Sequence, residues 1–165
     1  MSRFVIPNRI FDPAAECMPR SDRAGLQATH LRRAVEQAHK VPFYRRKFAA
    51  KNITPDAIKT IDDIRRLPFT TRKDLADAYP FGFFAVPRRE LARMHTAEGA
   101  ENQPLFVGYT RNDLKLWSML CARILVSGGL TSDQLVQVSF CYGPLTEGFG
   151  LHGGIERVGA AGLPA

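Results

Sequence analysis

The segment LFVGYTRNDLKLWSMLCARILVSGGLTSDQLVQVSF, residues 105–140, decides the fold class of this 165-residue chain. Its first part, residues 105–109, is a short apolar run and predicts a β-strand. Thr110 is the N-cap of a helix whose apolar residues recur at helical spacing until a glycine pair ends it. A second apolar run, residues 135–140, predicts another strand. Strand, helix and strand in this order predict an open, mostly parallel α/β sheet with flanking helices.

The sequence before this segment has a helical pattern. Ser21 is the predicted cap of a helix that ends before Pro42, and a second helix follows through Phe48. Short helical turns are predicted from Thr54 and over residues 62–67. Another is predicted from Thr71, which has an acidic residue three positions later, as in a capping box. We therefore expect residues 1–90 to form a helical preface.

Residues 91–165 are expected to form a truncated α/β sheet unit, and the two parts together one partial domain. Apolar and polar residues alternate over 91–95, which predicts the first strand. A glycine-rich segment leads into a helix around Ile155, and residues 159–165 have the pattern of a turn toward a further strand. So short a parallel sheet leaves one edge open. The expectation is that a larger protein has been cut or that a partner supplies the remaining strands.

Composition limits the function classes. The chain is 45% hydrophobic, which is typical of a soluble globular protein. Its apolar runs are far shorter than the roughly 20 residues of a membrane-spanning helix, and its first residues do not resemble a signal peptide. The three cysteines form no CxxC pair, so neither a disulfide framework nor a cysteine-rich zinc site is predicted. We predict a cytoplasmic protein without membrane contact.

The net charge of +7 is unevenly distributed. Residues 1–93 hold 19 basic and 10 acidic side chains, whereas residues 94–165 hold 4 and 6. Basic residues between 32 and 51 alternate with apolar ones, as on solvated helix faces. Because no nucleic-acid-binding motif accompanies them, no nucleic-acid partner is predicted. The positive electrostatic field of these basic residues would attract a small anionic ligand or an acidic partner.

Several motifs resemble the N-terminal part of phenylacetate-CoA ligases. They are LPFTTRKDL at 67–75, YPFGFFAVP at 79–87, VGYT at 107–110, YG at 142–143 and GLHG at 150–153. Members of that family adenylate an aryl acid with Mg-ATP and then exchange AMP for coenzyme A. The resemblance implies the first third of an adenylate-forming enzyme of aromatic acid catabolism, with ATP, Mg and coenzyme A as cofactors of the intact family.

The phosphate loop of the family, rich in Ser, Thr and Gly and ending in Gly-Lys-Pro, corresponds here to TAEGAENQP at 96–104. Only Gly99 and Pro104 keep the family residue, and they are the predicted remnant of the cofactor site. Glu98 and Glu101 replace hydroxyl groups, and Gln103 replaces the lysine. Carboxylates repel a polyphosphate, so no cofactor is expected to bind this chain alone.

The aryl-acid pocket of the family corresponds to an aromatic and glycine-containing segment, and its predicted substrate-binding residues here are Tyr142, Gly143, Leu145, Thr146 and Gly148. A ring beside glycines lets a flat ligand lie close to the backbone. Pro144, Leu145 and Glu147 depart from the family pattern, which alters the shape of the pocket. Trp117 and Phe140 are predicted to pack in the core.

Neither a catalytic residue nor a metal site is predicted. The four histidines have no metal-ligand spacing. His95 alone lies where a strand ends, which is the usual place for ligand contacts in open α/β sheets.

The sequence favours an N-terminal fragment or degenerate stand-alone relative of a phenylacetate-CoA ligase that is inactive by itself. The alternative is a non-catalytic binding or scaffolding subunit that docks a partner through its open sheet edge. Possible partners are a second copy, a polypeptide carrying the missing ligase portion and an aryl acid. A free-standing sensor of aryl acids or acyl-CoA is a third interpretation.

Overall fold

The computed structural model describes residues 9–97, 104–143 and 146–165. The helices are α1 (Pro13–Glu16), α2 (Arg20–Ala38), α3 (Pro42–Ala50), α4 (Arg72–Asp77), α5 (Arg111–Ser127) and α6 (Glu147–Val158). The strands are β1 (Leu91–Ala97), β2 (Leu105–Thr110), β3 (Leu135–Val138) and β4 (Ala161–Pro164). Three 3₁₀ turns cover Pro55–Ala57, Ile61–Arg66 and Arg88–Glu90. None of the helices in these ranges is long and apolar enough to cross a membrane.

The described residues form two compact units. The helical unit contains residues 18–90 and 104–106, and the α/β unit contains residues 9–17, 91–97 and 107–165 within the described ranges. In the helical unit the buried core is Val35, Phe48, Ile53 and Ile58. In the α/β unit it is Val138, Ile155 and Ala160, against which Leu125 and Leu151 pack.

Local side-chain chemistry explains where several helices begin. Thr110 accepts a hydrogen bond from the backbone N–H of Asp113, whose carboxylate in turn accepts one from the backbone N–H of Thr110. Thr71 and Asp74 form the same capping box at α4, as predicted. Such a pair satisfies backbone groups that the first helical turn leaves without partners.

Helix α2 begins differently from the prediction. Ser21 is its second residue, the N-cap position is Pro19, and no side chain caps the helix. Pro19 fixes an extended backbone conformation before the first turn, so the helix starts one residue before the predicted cap. The predicted cap at Ser21 is therefore wrong.

The α/β class and the helical preface are confirmed. Strands β3 and β4 are parallel, with Leu135 opposite Ala161, and α6 connects them. Strand β1 pairs with β2, so the strands of the described residues form two separate two-stranded sheets. Two local predictions need correction. Residues 161–164 are themselves a strand, and β3 ends at Val138, two residues earlier than expected.

Candidate substrate-binding site

An aromatic cluster occupies the α/β unit around buried His95 of β1, which is 2% exposed. The His95 ring meets Tyr109, Trp117 and Phe149 edge to face, with centroid distances of 5.5, 5.7 and 5.7 Å. Tyr109 and Trp117 stack on each other at 5.0 Å. The cluster joins β1, β2, α5 and α6, because each of these elements contributes one ring.

The cluster raises the pKa of Tyr109. Burial is the main cause, because it disfavours the phenolate, and the carboxylate of Asp113 adds repulsion of the same sign. Burial likewise raises the pKa of the Cys121 thiol, although a hydrogen bond with Trp117 opposes the shift. Tyr109 and Cys121 are therefore neutral packing groups at neutral pH, and neither is poised as a nucleophile.

Glycines let α6 approach α5 closely. A Cβ atom at Gly150 would lie 2.5 Å from Cζ2 of Trp117, and one at Gly154 would lie 2.6 Å from Cβ of Cys121 and 3.0 Å from the backbone nitrogen of Ala122. Such distances are too short for carbon atoms in contact. The GFGLHGG segment at 148–154 therefore sets the position of Trp117 against α6.

His152 is hydrogen-bonded to Tyr142 on one side of its ring and lies close to Glu156 on the other. The Tyr142 hydroxyl lies 3.0 Å from Nδ1 of His152. Nε2 of the same histidine lies 3.4 Å from the Glu156 carboxylate. The Tyr142 ring also packs edge to face on Phe149 at 5.3 Å. These contacts hold the predicted aromatic residue of the aryl-acid segment in one orientation against α6.

Two cavities adjoin the cluster. One, of about 110 Å³, lies between α5 and α6 and is lined by Arg93, Leu114, Trp117, Ser118, Phe149, Gly150, His152, Gly153 and Glu156. The other, of about 470 Å³, is an open groove lined by Gly108, Tyr109, Asp113, Leu116, Trp117 and Leu120. Trp117 lines both cavities, and it is the single tryptophan of the chain.

The predicted site residues stand in different surroundings. Gly99 and Leu145 lie outside the described residues, and Pro104 is exposed immediately before β2. Tyr142 is half-buried, and Gly143 donates its N–H to Sγ of Cys141 at 3.2 Å. These positions neither confirm nor exclude ligand binding, so the assignments stay predictions.

The last two members of the predicted aryl-acid set lie at the start of α6. Thr146 is the N-cap residue of the helix, although its side chain makes no capping hydrogen bond. Gly148 is buried, and a Cβ there would lie 2.7 Å from the carbonyl oxygen of Cys141. The glycine is therefore required by close backbone approach whether or not a ligand binds beside it.

Three side chains behave differently from the sequence interpretation. Phe140 is 51% exposed, so its predicted core position is wrong, because β3 has already ended. Arg93 and Phe149 were not predicted as site residues, although the Arg93 guanidinium lies 4.6 Å from the Phe149 ring centre. Residues two apart on a strand share a face, so the pair Arg93 and His95 is the signal that could have indicated them.

Comparison with known proteins places these features in a class. No family model matches the chain. A solved open conformation of 2-hydroxyisobutyryl-CoA ligase, in complex with 2-HIB-AMP and CoA, is similar over 96% of this chain and 38% of that protein, with a TM-score of 0.84 and 26% identity. A second structure of that ligase, in the postadenylation state with 2-HIB-AMP, gives a TM-score of 0.83 and 27% identity over 96% of this chain and 34% of the other. The fold is thus that of a portion of an adenylate-forming acyl-CoA ligase.

Curated relatives narrow this class. A phenylacetate-coenzyme A ligase of Thermus thermophilus is 40% identical over 156 residues, which are 94% of this chain and 35% of that protein. The phenylacetate-coenzyme A ligase of Escherichia coli is 38% identical over 161 residues, or 97% of this chain and 37% of the relative. The chain is therefore similar to phenylacetate-CoA ligases over nearly its whole length, and it spans about 35% of the length of these relatives.

Proposed function

We propose that this chain supplies an acid-binding portion of a phenylacetate-CoA ligase-type unit and does not adenylate an acid by itself. In the family reaction a carboxylate displaces pyrophosphate from ATP to form an acyl-adenylate, and the thiol of coenzyme A then displaces AMP. The observation that carries the proposal is the 40% identity to a phenylacetate-coenzyme A ligase over 94% of the chain. Solved neighbours that hold 2-HIB-AMP and CoA support the same two-step chemistry for their class.

The acid side of this proposal rests on Tyr142. Its ring packs on Phe149, and its hydroxyl is held by His152, so it offers a fixed aromatic face. Gly143 has no side chain that would cover this face. A flat aryl group gains from such an arrangement, because ring stacking adds to apolar burial. We therefore propose an aryl acid as the ligand of the segment around Tyr142.

The hydrogen-bonding groups of this chain do not suit the ATP phosphates that the family reaction requires. Residues 98–103 lie outside the described residues, but their side-chain chemistry follows from the sequence. Glu98 and Glu101 offer acceptors where a triphosphate needs donors and positive charge. Within the described ranges, no three His, Cys, Asp or Glu side chains are grouped to hold a metal ion. Because the carboxylates of Glu98 and Glu101 repel the phosphates, we propose that this chain alone carries out no step with ATP.

A loop variant tests this proposal. Ala97→Ser, Glu98→Ser, Ala100→Thr, Glu101→Thr, Asn102→Gly and Gln103→Lys together remove two negative charges and add one positive charge. The unmodified chain is expected to show no Mg-ATP binding by calorimetry and no phenylacetate-dependent pyrophosphate exchange. The six-fold variant should bind triphosphate weakly, and the binding should fall as salt rises, because the restored attraction is electrostatic.

Micromolar Mg-ATP affinity of the unmodified chain would contradict the proposal, because it would show that the loop is functional. A folded six-fold variant without any nucleotide-dependent NMR shift at millimolar ATP would contradict only the expectation that the loop alone accounts for the lost nucleotide binding. Phenylacetate titration of a Tyr142→Ala variant, with Tyr44→Phe of the helical unit as the control, tests the acid side separately.

A docking subunit is the second candidate, and one observation favours it. Leu116, Leu120 and Ile124 lie four residues apart on α5, and they are 49%, 43% and 66% exposed. Residues at this spacing form one helix face. Since the matched ligases are about three times as long as this chain, we propose a polypeptide that carries the remaining ligase fold as the occupant of this face. Co-expression with the unmatched portion of the T. thermophilus relative should yield a complex, and Leu120→Lys should abolish it.

A further inference from the structure

We propose that the outer face of α2, formed by Arg23, Leu26 and Arg33, binds an acidic polypeptide segment. Leu26 is the apolar anchor of this surface, and the two arginines are its charged contacts. The surface belongs to the helical unit, whereas the segment around Tyr142 and the exposed face of α5 belong to the α/β unit. The inference therefore does not depend on the proposed function.

The positive charge of the chain is concentrated in α2 and α3. Residues 18–51 hold nine basic and two acidic side chains, so this segment alone carries as much charge as the whole chain, +7. Among the described residues, Lys47 is the one member of these nine that forms an ion pair, and its partner is Asp74. So large an unbalanced charge attracts a negatively charged partner and speeds its association.

The first half of α2 is not covered by the rest of the helical unit. Residues 20–27 are all exposed, whereas Val35 in the second half is buried in the core. No side chain caps the helix, and no ion pair to another described residue stabilises residues 20–27. Gly25 also lowers the helix propensity of this half. Because helices gain most of their stability from packing, a partner that covers this half would stabilise it.

Leu26 lies on the side of α2 that faces away from the core. It is nine residues before the buried Val35, and at about 3.6 residues per turn this separation places the two on opposite sides of the helix. Leu26 is 43% exposed. Arg23 lies about one turn before it and Arg33 about two turns after it, so all three share one face. Arginines around an apolar residue are typical of protein–protein contact surfaces.

The spacing on this face defines the partner. Arg23 and Arg33 are ten residues apart, which is about 15 Å along the helix. A partner helix with two carboxylates at this separation and an apolar residue between them would pair with both guanidinium groups, which bind carboxylates in a bidentate geometry. A nucleic acid suits the face less well, because α2 contains no Phe, Tyr or Trp on which bases could stack.

A second copy of the chain also suits the face less well. The described residues of the α/β unit hold six basic and six acidic side chains, and residues 18–90 of the helical unit hold sixteen and eight. Neither unit therefore complements the charge of α2. Asp22 is the single acidic residue of the segment 18–35 and accepts a hydrogen bond from Ser21 at 3.1 Å, so the face keeps a net positive charge.

A double-mutant cycle tests the proposed contact at Leu26. The probe is a fluorescently labelled helical peptide with glutamates along one face, two of them ten residues apart, and one leucine midway between those two. The full chain should bind it, and the affinity should fall as salt rises. Exchange of the peptide leucine for alanine should weaken binding to the wild type about threefold or more, but should not weaken binding to Leu26→Ala. Alanine favours the helix, so Leu26→Ala is expected to fold.

Charge reversal tests the proposed contact at Arg33. Arg33→Glu should weaken binding about tenfold or more, because repulsion replaces a charge-assisted hydrogen bond. Arg89→Glu makes the same change at an exposed arginine of the helical unit outside α2, and it should weaken binding about twofold at most.

Several results would overturn the proposal. One is an equal loss of affinity in Arg33→Glu and Arg89→Glu, and another is a leucine contribution that persists in Leu26→Ala. Failure of the peptide to bind the full chain would overturn it as well. Tighter binding of a DNA duplex of equal charge would identify a nucleic acid as the occupant, and self-association that Arg33→Glu abolishes would identify a second copy.

Discussion

The two units of this chain expose different kinds of side chain. Of the twelve large apolar side chains that are exposed among the described residues, four lie in the helical unit and eight in the α/β unit. The helical unit also carries ion pairs, the shortest of which are Lys47 with Asp74 at 3.0 Å, and Arg66 with Asp63 and Lys73 with Asp77, both at 3.1 Å. Charged pairs keep a surface solvated, whereas contiguous exposed apolar side chains are typical of an interaction surface.

A helical glycine of one unit lies in a tight interface, and one of the other unit lies on an open surface. In the α/β unit, α6 contacts α5 through glycines, with no room for a side chain at Gly154. In the helical unit, Gly25 lies on α2, and a Cβ there would meet no atom within 4 Å. A side chain added at Gly154 and one added at Gly25 should therefore have opposite effects on stability.

The largest expected effect follows from this contrast. Gly154→Val should destabilise the chain by about 3 kcal/mol or prevent folding, because the side chain overlaps Cys121 and the backbone of Ala122. Gly25→Ala should stabilise the chain by roughly 0.5–1 kcal/mol, because alanine favours the helix and nothing obstructs it. Urea unfolding of both variants measures the difference. Equal stability of Gly154→Val and the wild type would contradict the packing described for α5 and α6.

Much of the fold was predictable from local chemistry. The capping pairs at Thr71 and Thr110, the ends of α5 and the alternation along β1 all depend on residues within a few positions of one another, which a single sequence displays. Their agreement with the structure reflects the strength of capping and periodicity. The early end of β3 depends on tertiary pairing with β4, which the apolar run over 135–140 does not encode.

The candidate site was predictable only in part. Tyr142 was selected from a motif, and His95 from an expected strand end that the structure places two residues later, at Ala97. The cavity arises where Arg93, Trp117 and Phe149 meet from three elements. Taken alone in the sequence, each of these side chains would be interpreted as a surface charge or as a ring packed in the core. Only the close approach of α6 to α5 brings them together, and that approach depends on glycines whose role a single sequence does not reveal.

The next largest effect is expected in the pH dependence of stability, which should differ between the two units. In the helical unit the backbone N–H of Thr71 and the Lys47 ammonium lower the pKa of Asp74 from 3.8 to about 2. A carboxylate with a lowered pKa stabilises the fold above its unfolded pKa, and this contribution is lost as pH falls through about 2. In the α/β unit burial raises the pKa of Tyr109, so its contribution is present below about pH 10 and is lost as pH rises through the raised value.

Two variants and one scan test this dependence. Asp74→Asn should flatten the decline in thermal stability between about pH 4 and pH 2, whereas Tyr109→Phe should flatten the decline above about pH 10. If Asp74→Asn changed thermal stability only above about pH 10, the proposed origin of the two declines would be contradicted. Asp77→Asn removes a 62% exposed carboxylate from the same helical region and is the control for the acid limb.

The smallest effect on stability is expected at the exposed face of α5, where the consequence is association instead of unfolding. Leu120 is 43% exposed, so Leu120→Lys should change the free energy of unfolding by less than about 0.5 kcal/mol. It should nevertheless lower the binding of a hydrophobic dye and reduce light scattering at high concentration, because the lysine interrupts the stripe of Leu116, Leu120 and Ile124. Ile64→Lys is the matched control, since Ile64 of the helical unit is 52% exposed and lies between charged neighbours. If both variants reduce dye binding equally, exposure alone accounts for it, and the face of α5 is no more a contact surface than any isolated apolar residue.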